Sequence, residues 1–572
     1  MIDPKAPDYS QTPVAPSRRR YGYRPASTSV APCVSIVTPV FEPGPELLET
    51  AQSIASQSLQ QWEWLIVDDG TVSDAAARRI SDCVEADARV RCVRLPVNSG
   101  LSAARNAGVA AAKAPYIALL DGDDLLEPTA LEKWWWFLES APRLAFTKGY
   151  SIGFGAASYL WTHGFHEGEA FLEANRVDVT SLIRADTFRQ VGGFDESNRD
   201  GLEDWEFWLR CADAGLWGGT IPEYLNWYRR HDDHTRWSNL SEERTRVFRE
   251  TLQARFPRLW AGGFPSPEPA GTGVDAASMR GRNRLERDGR RLLLIEHVLN
   301  DDSVSRWNHA LLERLTRHGW HVTVVATTTV PFDEWPAFTR ITPDVFILSH
   351  FVQPADAPVF LDYLITSRQF DAVCVSRSEL GRRLLPRLAN THSDVVWMEM
   401  ASSSETPTEG IEQIDAVRAA IAPGDTRVVR AVTIEPDRRA DADMPLRAVI
   451  AALCADRQRL DRLQEADRLR LKQSYESDRL RMEERQEADR TARDARIREL
   501  ESWSAQQQEG IDWLNAERAR LTALIEDSST ARAELEARIR ELEAWIAQQQ
   551  EAIDWLNAER ARLSALLNVA TD

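Results

Sequence analysis

The chain has six cysteines in 572 residues, Cys33, Cys83, Cys92, Cys211, Cys374 and Cys454, and none fall in CxxC spacing. That scatter suits a reducing cytosol. No run approaches about 18 consecutive apolar residues, and the polar, proline-rich N-terminus lacks the apolar core of a signal peptide, so the expectation is a soluble, non-exported protein. A net charge of −19 leaves no global basic field to release phosphate counterions, which argues against a general nucleic-acid binder. No GxGxxG is present, so the dinucleotide fingerprint is missing as well. What remains is ample apolar material, 43% of the residues, in a chain too long for one core. The length suggests about three or four units.

Residues 1–30 carry Pro4, Pro7, Pro13, Pro16 and Pro25 around Arg18, Arg19 and Arg20 and read as a disordered leader. Three arginines are fewer than a lipid-binding cluster usually holds. From Val34 short β-branched runs alternate with helical stretches. VSIVTPVF (34–41), WLIVDDG (64–70), RVRCVRL (89–95) and the run 116–120 read as strands, with helices around Leu47–Leu59 and Asp74–Glu85. A βαβ series of this kind builds a parallel sheet that binds ligands at the carboxyl ends of its strands. Pro39 and Phe41 close the first strand, Asp68 and Asp69 the second, and Asp121, Asp123 and Asp124 the fourth. Clustered carboxylates raise one another's pKa and suggest a divalent cation with oxygen ligands, although Asp and Gly equally make a solvated acidic turn. Arg105 and Asn106 lie in a helix of small residues, NSGLSAARNAG (98–108), near the same edge, where either could be an ordinary surface residue.

Further on, GLEDWEFWLRCADAG (201–215) reads as a partly buried helix starting near Glu203 and Asp204, a place where a carboxylate is usually a cap. In WYRRHDDHTRW (227–237), His231 and His234 stand three apart but lack a full ligand set, and Asp232 and Asp233 read as solvated.

TPVF, VDDG, NSGLSAARNAG and LDGDD, in this order and spacing, resemble the family 2 glycosyltransferases of the GT-A fold over about Val34 to Trp237. The resemblance implies an α/β nucleotide-diphospho-sugar transferase domain over 31–262. It implies that Asp69 holds the base and Asp121 the ribose, with Pro39, Phe41, Arg105 and Asn106 as further nucleotide-sugar contacts. Asp123, Asp124 and His231 would serve a Mg²⁺ or Mn²⁺ ion on the diphosphate. Asp204 would deprotonate the acceptor hydroxyl and Glu203 orient it, with inversion at the anomeric carbon. The acceptor would be a glycan or lipid-linked hydroxyl in surface-polysaccharide assembly, in the cytoplasm with peripheral contact at the inner membrane face. An alternative from another class is a scaffold that binds nucleotide sugar without turnover.

After a linker at 263–289, RLLLIEHV (291–298), a helix over 305–319, WHVTVVATTT (320–329), DVFILS (344–349) and FDAVCVSRS (370–378) suggest a second Rossmann-like α/β lobe over 290–422. It resembles the N-terminal half of the two-lobed GT-B enzymes of family 4. HVLNDDSVS replaces their glycine-rich loop and their nucleotide-binding second lobe is missing, so this lobe reads as non-catalytic. A connecting segment, 423–453, leads to eleven-residue units over 454–497 and then to heptads over 498–568, expected as one long coiled-coil helix of roughly 170 Å at about 1.5 Å per residue. RIRELESWSAQQQEGIDWLNAERARLTAL (496–524) recurs as RIRELEAWIAQQQEAIDWLNAERARLSAL (538–566). Its expected role is self-association or recruitment of a protein partner.

Overall fold

The computed structural model describes residues 11–15, 23–27, 30–199, 201–231, 242–267, 273–287, 289–300, 303–329, 336–392, 395–400, 428–429, 494–524 and 532–569. Most of the leader, His234, all of the connecting segment but Val428 and Val429, and nearly all of the eleven-residue units lie outside them. The chain divides into two compact units, Met1–Val432 with Ala440–Ala451, and Thr433–Arg439 with Ala452–Asp572.

In the first unit, β1 (Val34–Val40), β2 (Trp62–Asp68), β3 (Val90–Arg94) and β4 (Tyr116–Leu119) form the parallel half of a sheet. Every residue of β1, β2 and β4 is buried, as expected of strands covered on both faces. The sheet continues through β5 (Leu125–Leu126), β6 (Phe146–Gly155), β7 (Tyr159–Trp161), β8 (Ser181–Arg184) and β9 (Gly219–Arg230), in the order β3-β2-β1-β4-β8-β6-β9-β5 with β7 on β6. Its helices include α1 (Glu46–Ala55), α2 (Asp74–Ala86), α3 (Leu101–Ala111), α4 (Ala130–Ser140), α5 (Ala185–Val191) and α6 (Glu203–Asp213). The small residues of α3 let it press onto the sheet. A Cβ on Gly108 would come within 2.4 Å of Val37 Cγ1 and 2.8 Å of Val67 Cγ2, so only glycine permits this approach. That closeness carries Arg105 to the carboxyl edge of β1 and β4.

A second sheet in the same unit consists of β10 (Arg290–Glu296), β11 (Trp320–Ala326), β12 (Val345–Ile347), β13 (Ala372–Ser376), β14 (Val396–Met400) and β15 (Val428–Val429). All pairings are parallel, in the order β12-β11-β10-β13-β14-β15. The two sheets share one apolar core, in which Trp136 of α4 meets Phe360 and Tyr363 of the helix Ala357–Arg368 at ring-centroid distances of 5.0 Å.

Through this contact runs a buried polar network. Arg368 donates to both Glu132 oxygens at 2.7 and 3.0 Å and to both Asp344 oxygens at 2.8 and 2.9 Å. Tyr363 Oη and Ser58 Oγ complete Glu132. Nearby, Lys133 Nζ donates to Glu223 at 2.5 Å, and His350 Nδ1 lies 3.0 Å from its other oxygen. The stretch read as a linker is wedged into this junction. Asn283, fully buried, accepts from Gln60 N and donates to Ser58 O and toward Tyr363 Oη.

The second unit departs from the single rod expected of 498–568. Residues 494–524 and the helix Arg532–Val569 pack against each other, with Leu514 and Leu521 buried beside Leu535, Ile539, Leu542 and Ile546. Arg518 faces Glu543 at 4.0 Å and Arg560 faces Glu501 at 3.9 Å. Seventeen residues forward along one helix thus correspond to seventeen back along the other, which is an antiparallel hairpin. The reason is physical: both copies of the internal repeat carry the same apolar seam, and the copy on the same chain is present at high effective concentration.

Candidate active site

The carboxyl ends of β1, β2 and β4 share one edge of the parallel sheet, and the start of α6, which the sequence pattern alone did not bring there, meets it through Arg105. Val40 pairs with Asp68 across β1 and β2, so Phe41, which is exposed, follows at the edge where Asp69 begins. Pro39 is buried within β1. Asp69 is buried too, and its two oxygens accept from Ser99 N at 2.7 Å and Gly100 N at 2.9 Å. It therefore shapes the turn into α3, with lone pairs left for a ligand donor. Gly70, the residue after Asp69 in the turn leaving β2, has φ +84°, and a side chain there would strike Asn98 N of the segment entering α3 at 2.7 Å. The turn needs glycine both for its backbone conformation and for this approach.

Arg105 joins the two halves of the site. Its Nη2 donates to Asp121 Oδ1 at 3.0 Å and its Nη1 to Glu203 Oε1 at 2.7 Å, from a side chain only 2% exposed. Burial disfavours its charge, but Asp121 and Glu203 outweigh that and hold it firmly protonated. Asp121 itself is pushed up by burial and by Asp123, with Arg105 pulling the other way.

The three aspartates of LDGDD separate into different environments. Asp123 is partly exposed, and its Oδ2 lies 2.7 Å from His231 Nε2. Asp124 is buried; its Oδ1 accepts from Arg229 N at 2.8 Å while its Oδ2 has no hydrogen-bond partner among the described residues. Burial, then Asp123 and Asp121, raise its pKa well above the carboxylate range. Arg229 also holds the loop by donating to Asp123 O and to Glu49.

Among the described residues no three His, Cys, Asp or Glu side chains form a cluster able to hold a metal ion. Asp123 and His231 nevertheless supply an oxygen and a nitrogen 2.7 Å apart. The orphaned oxygen of Asp124 lies in the same loop. A small cation that keeps waters and takes most of its shell from phosphates needs only one or two such protein ligands.

The start of α6 is strained. Gly201 has φ +96° and the following Leu202 has φ +63°, a left-handed conformation uncommon for a branched apolar residue. Its side chain is buried, which holds the strain in place. The result points Glu203 at Arg105 and leaves Asp204 beside it. Asp204 Oδ2 accepts from Asn175 Nδ2 at 2.8 Å and Oδ1 from Trp205 N at 2.9 Å. Burial, then the charge of Glu203, push its pKa up to about 7, against the pull of Asn175 and Arg105. A carboxyl tuned to neutrality can accept a proton at physiological pH.

Asn106, expected at the nucleotide, is committed elsewhere. It donates to Phe194 O and Glu196 Oε1 and accepts from Phe194 N, which clamps the VGGFDE turn. Its side chain faces that turn because Arg105, one position earlier on the helix, takes the site-facing direction. Asn175 and Arg229 were not singled out in the sequence. Arg229 lies in the quoted WYRRH stretch, but nothing local marks Asn175, whose partner is 29 positions away.

Residues 35–191 match the Glycosyl transferase family 2 family. The O-antigen biosynthesis protein RfbC of Myxococcus xanthus is 29% identical over 204 residues, 35% of this chain and 16% of that protein. A Bacillus subtilis (strain 168) protein provisionally named as the teichuronic acid biosynthesis glycosyltransferase TuaG is 35% identical over 126 residues, 22% of this chain and 49% of its own length. The chain thus spans less than two thirds of these relatives. The crystal structure of S. aureus TarS 1-349 in complex with UDP-GlcNAc aligns over 63% of this chain and 87% of that one, at 13% identity and a TM-score of 0.33.

Proposed function

We propose that the chain, which carries a glycosyl transferase family 2 domain over residues 35–191, is an inverting, metal-dependent glycosyltransferase. It would move a sugar from a nucleotide-diphospho-sugar to a hydroxyl of a glycan or lipid-linked acceptor in surface-polysaccharide biosynthesis. The observation that carries this reading is Arg105, which ties Asp121 at the donor end to Glu203 beside Asp204. One buried cation thereby fixes the spacing between the group that holds the donor and the group that takes the acceptor proton.

In this reading Phe41 and Asp69 border the base, and Asp121 meets the ribose. Asp123 and His231 would hold a Mg²⁺ or Mn²⁺ ion, and such an ion would supply positive charge toward the leaving diphosphate. Asp124 supports that loop from below through Arg229. The acceptor oxygen attacks the anomeric carbon opposite the leaving oxygen, the bond to the diphosphate breaks, and the acceptor proton passes to Asp204. The charge that Asp204 loses on protonation relieves its repulsion with Glu203. Attack by the acceptor itself, without a protein nucleophile, gives inversion.

The second lobe packs on the catalytic one through a shared core and would position acceptor or partner. The hairpin would recruit a second copy or another protein, and the enzyme would work at the inner membrane face; no described helix is long and apolar enough to cross a membrane. The scaffold alternative draws on that hairpin and differs in turnover. Incubation with a panel of nucleotide sugars, Mn²⁺ or Mg²⁺ and lipid-linked acceptors should give donor-specific, metal-dependent product that Asp123→Ala abolishes. Donor binding without metal-dependent transfer would leave the scaffold.

A further inference from the structure

Of the tryptophans whose surroundings are described, only four are exposed, and all lie on the helical hairpin: Trp503, Trp513, Trp545 and Trp555, at 50, 65, 60 and 60%. They occupy equivalent places in the two repeats, 42 residues apart. Leu500, Leu514, Leu521, Leu542 and Leu556 are buried and fix the inner seam. Relative to that seam, Trp503 and Trp545 flank it on the side opposite Glu501 and Glu543, the residues that make the cross-helix ion pairs. In an antiparallel pair, equivalent flanking positions of the two helices meet on the same side of the seam. One broad face therefore carries the acid–arginine pairs and the other carries the tryptophans. Trp513 and Trp555 sit on the neighbouring helical row of that second face.

The register of the ion pairs sets Trp503 opposite Ala558 and Trp513 opposite Gln548, so Trp555 and Trp545 stand within one turn of them, about 4.5 Å along the axis. The two aromatic pairs are about 15 Å apart along the axis, at about 1.5 Å per residue. Between and beside them stand small residues: Gly510, where an added Cβ would meet nothing within 4 Å, and Ala516, Ala552 and Ala558. Protruding rings alternating with hollows make a face that can interdigitate with its own copy turned by a two-fold axis.

We propose that the tryptophan face of this hairpin pairs with the same face of a second copy of the chain, forming a four-helix bundle. The inner leucine seam, already used within the chain, is not the dimer contact. Four rings at these exposures offer on the order of 600 Å² per copy, taking about 250 Å² for a whole tryptophan. Two copies would bury roughly 1,200 Å², the lower end of a stable interface. A lipid surface fits less well. The two helices contain no lysine and more carboxylates than arginines, whereas interfacial helices pair their aromatics with basic residues. This inference sharpens the recruiting role given to the hairpin and is independent of glycosyl transfer.

Sedimentation equilibrium of the full chain at micromolar concentration should give twice the 64.7 kDa chain mass. Replacing all four tryptophans by Gln should return the single mass with the helical circular-dichroism signal kept. Trp513→Gln with Trp555→Gln alone should weaken pairing at least about tenfold, and this milder variant carries the test if the fourfold one loses its helix signal. A wild-type chain that sediments as one copy overturns the proposal, as does a variant that still pairs at full strength. Sedimentation of a single-mass wild-type chain with phosphatidylglycerol–phosphatidylethanolamine vesicles, lost in the variants, would assign the face to lipid instead. Transfer assayed on the same samples separates the two readings: loss of pairing with transfer intact touches only this one.

Discussion

Two clusters of buried acid in the first unit look alike in composition and behave in opposite ways. At the junction of the sheets, Glu132 and Asp344 share Arg368, and Glu223 shares Lys133 and His350. Burial pushes Asp344 and Glu223 up, yet Arg368 in one case and Lys133 with His350 in the other overcome it and hold both below the carboxylate range. At the sheet edge, Arg105 pulls Asp121 and Asp204 down and the backbone N–H of Arg229 pulls Asp124 down, yet burial and neighbouring carboxylates win and all three are raised. The junction is a finished electrostatic structure. The edge is left short of positive charge, and that deficit is what a cation and a proton-bearing acceptor would fill.

The largest effect expected from this contrast is on turnover. Asp204→Asn keeps the size of the side chain and removes the base, so transfer should fall about 10² to 10⁴-fold while donor affinity holds. Near-normal transfer by a folded Asp204→Asn protein would sink the assignment of the base.

Next in size is a mutation at the other cluster. Arg368→Ala strands two buried carboxylates, Glu132 and Asp344, and should cost about 3–5 kcal/mol of stability. Denaturant unfolding should show the loss, and limited proteolysis should show the helix Ala357–Arg368 opening first. A midpoint within experimental error of wild type would mean that solvent reaches this network and that the two sheets are held by the aromatic contact alone.

The third effect sets the two clusters against each other by pH. A carboxyl raised in the folded protein contributes stability that is present below its unfolded pKa and lost as pH rises through the folded one. For Asp204 that loss runs from about 4 to about 7. Asp204→Asn should therefore be more stable than wild type at pH 8, by about 1–3 kcal/mol, with no difference near pH 4. Asp344 and Glu223, held low, contribute stability present above their unfolded pKa and lost as pH falls through the folded one. Acid should thus loosen the junction below about pH 4 while relieving the edge. Thermal melts of both proteins across this range would show whether the two slopes differ in sign.

How far these regions could be read from sequence differs in the same way. LDGDD and VDDG each sit at the end of a strongly patterned strand, so their convergence followed from a parallel sheet, whereas the acidic start of α6 read only as a helix cap and was brought to the site by the family resemblance alone. Glu132 and Arg368 are 236 positions apart, and each stands in a helix buried on nearly every side, where a charged residue has no local partner to mark it. A pair made only by the docking of two sheets leaves no local trace. Leu202 was invisible for another reason: its left-handed backbone is imposed by burial, against its own preference. The hairpin's seam was legible as a repeat, but a seam does not say whether its partner lies on another chain or on the same one.

The smallest expected effect isolates a single hydrogen bond in the edge cluster. Asn175 donates to Asp204 and stabilises its charged form, yet carries no charge itself. Asn175→Ala should shift the acidic limb of the pH–rate profile upward from about 7, by less than about one unit, because only a neutral donor is lost. Transfer at pH 8.5 and the melting temperature should change little, since Trp205 N still holds the other oxygen. His350→Gln at the junction gives the opposite pattern. It removes one of two partners from Glu223, should lower the melting temperature with a loss of about 1–2 kcal/mol, and should leave the pH–rate limb in place. If both variants moved the limb, or both moved only the melting temperature, the two clusters would be one coupled network, and the deficit of charge at the sheet edge would no longer single out the site of chemistry.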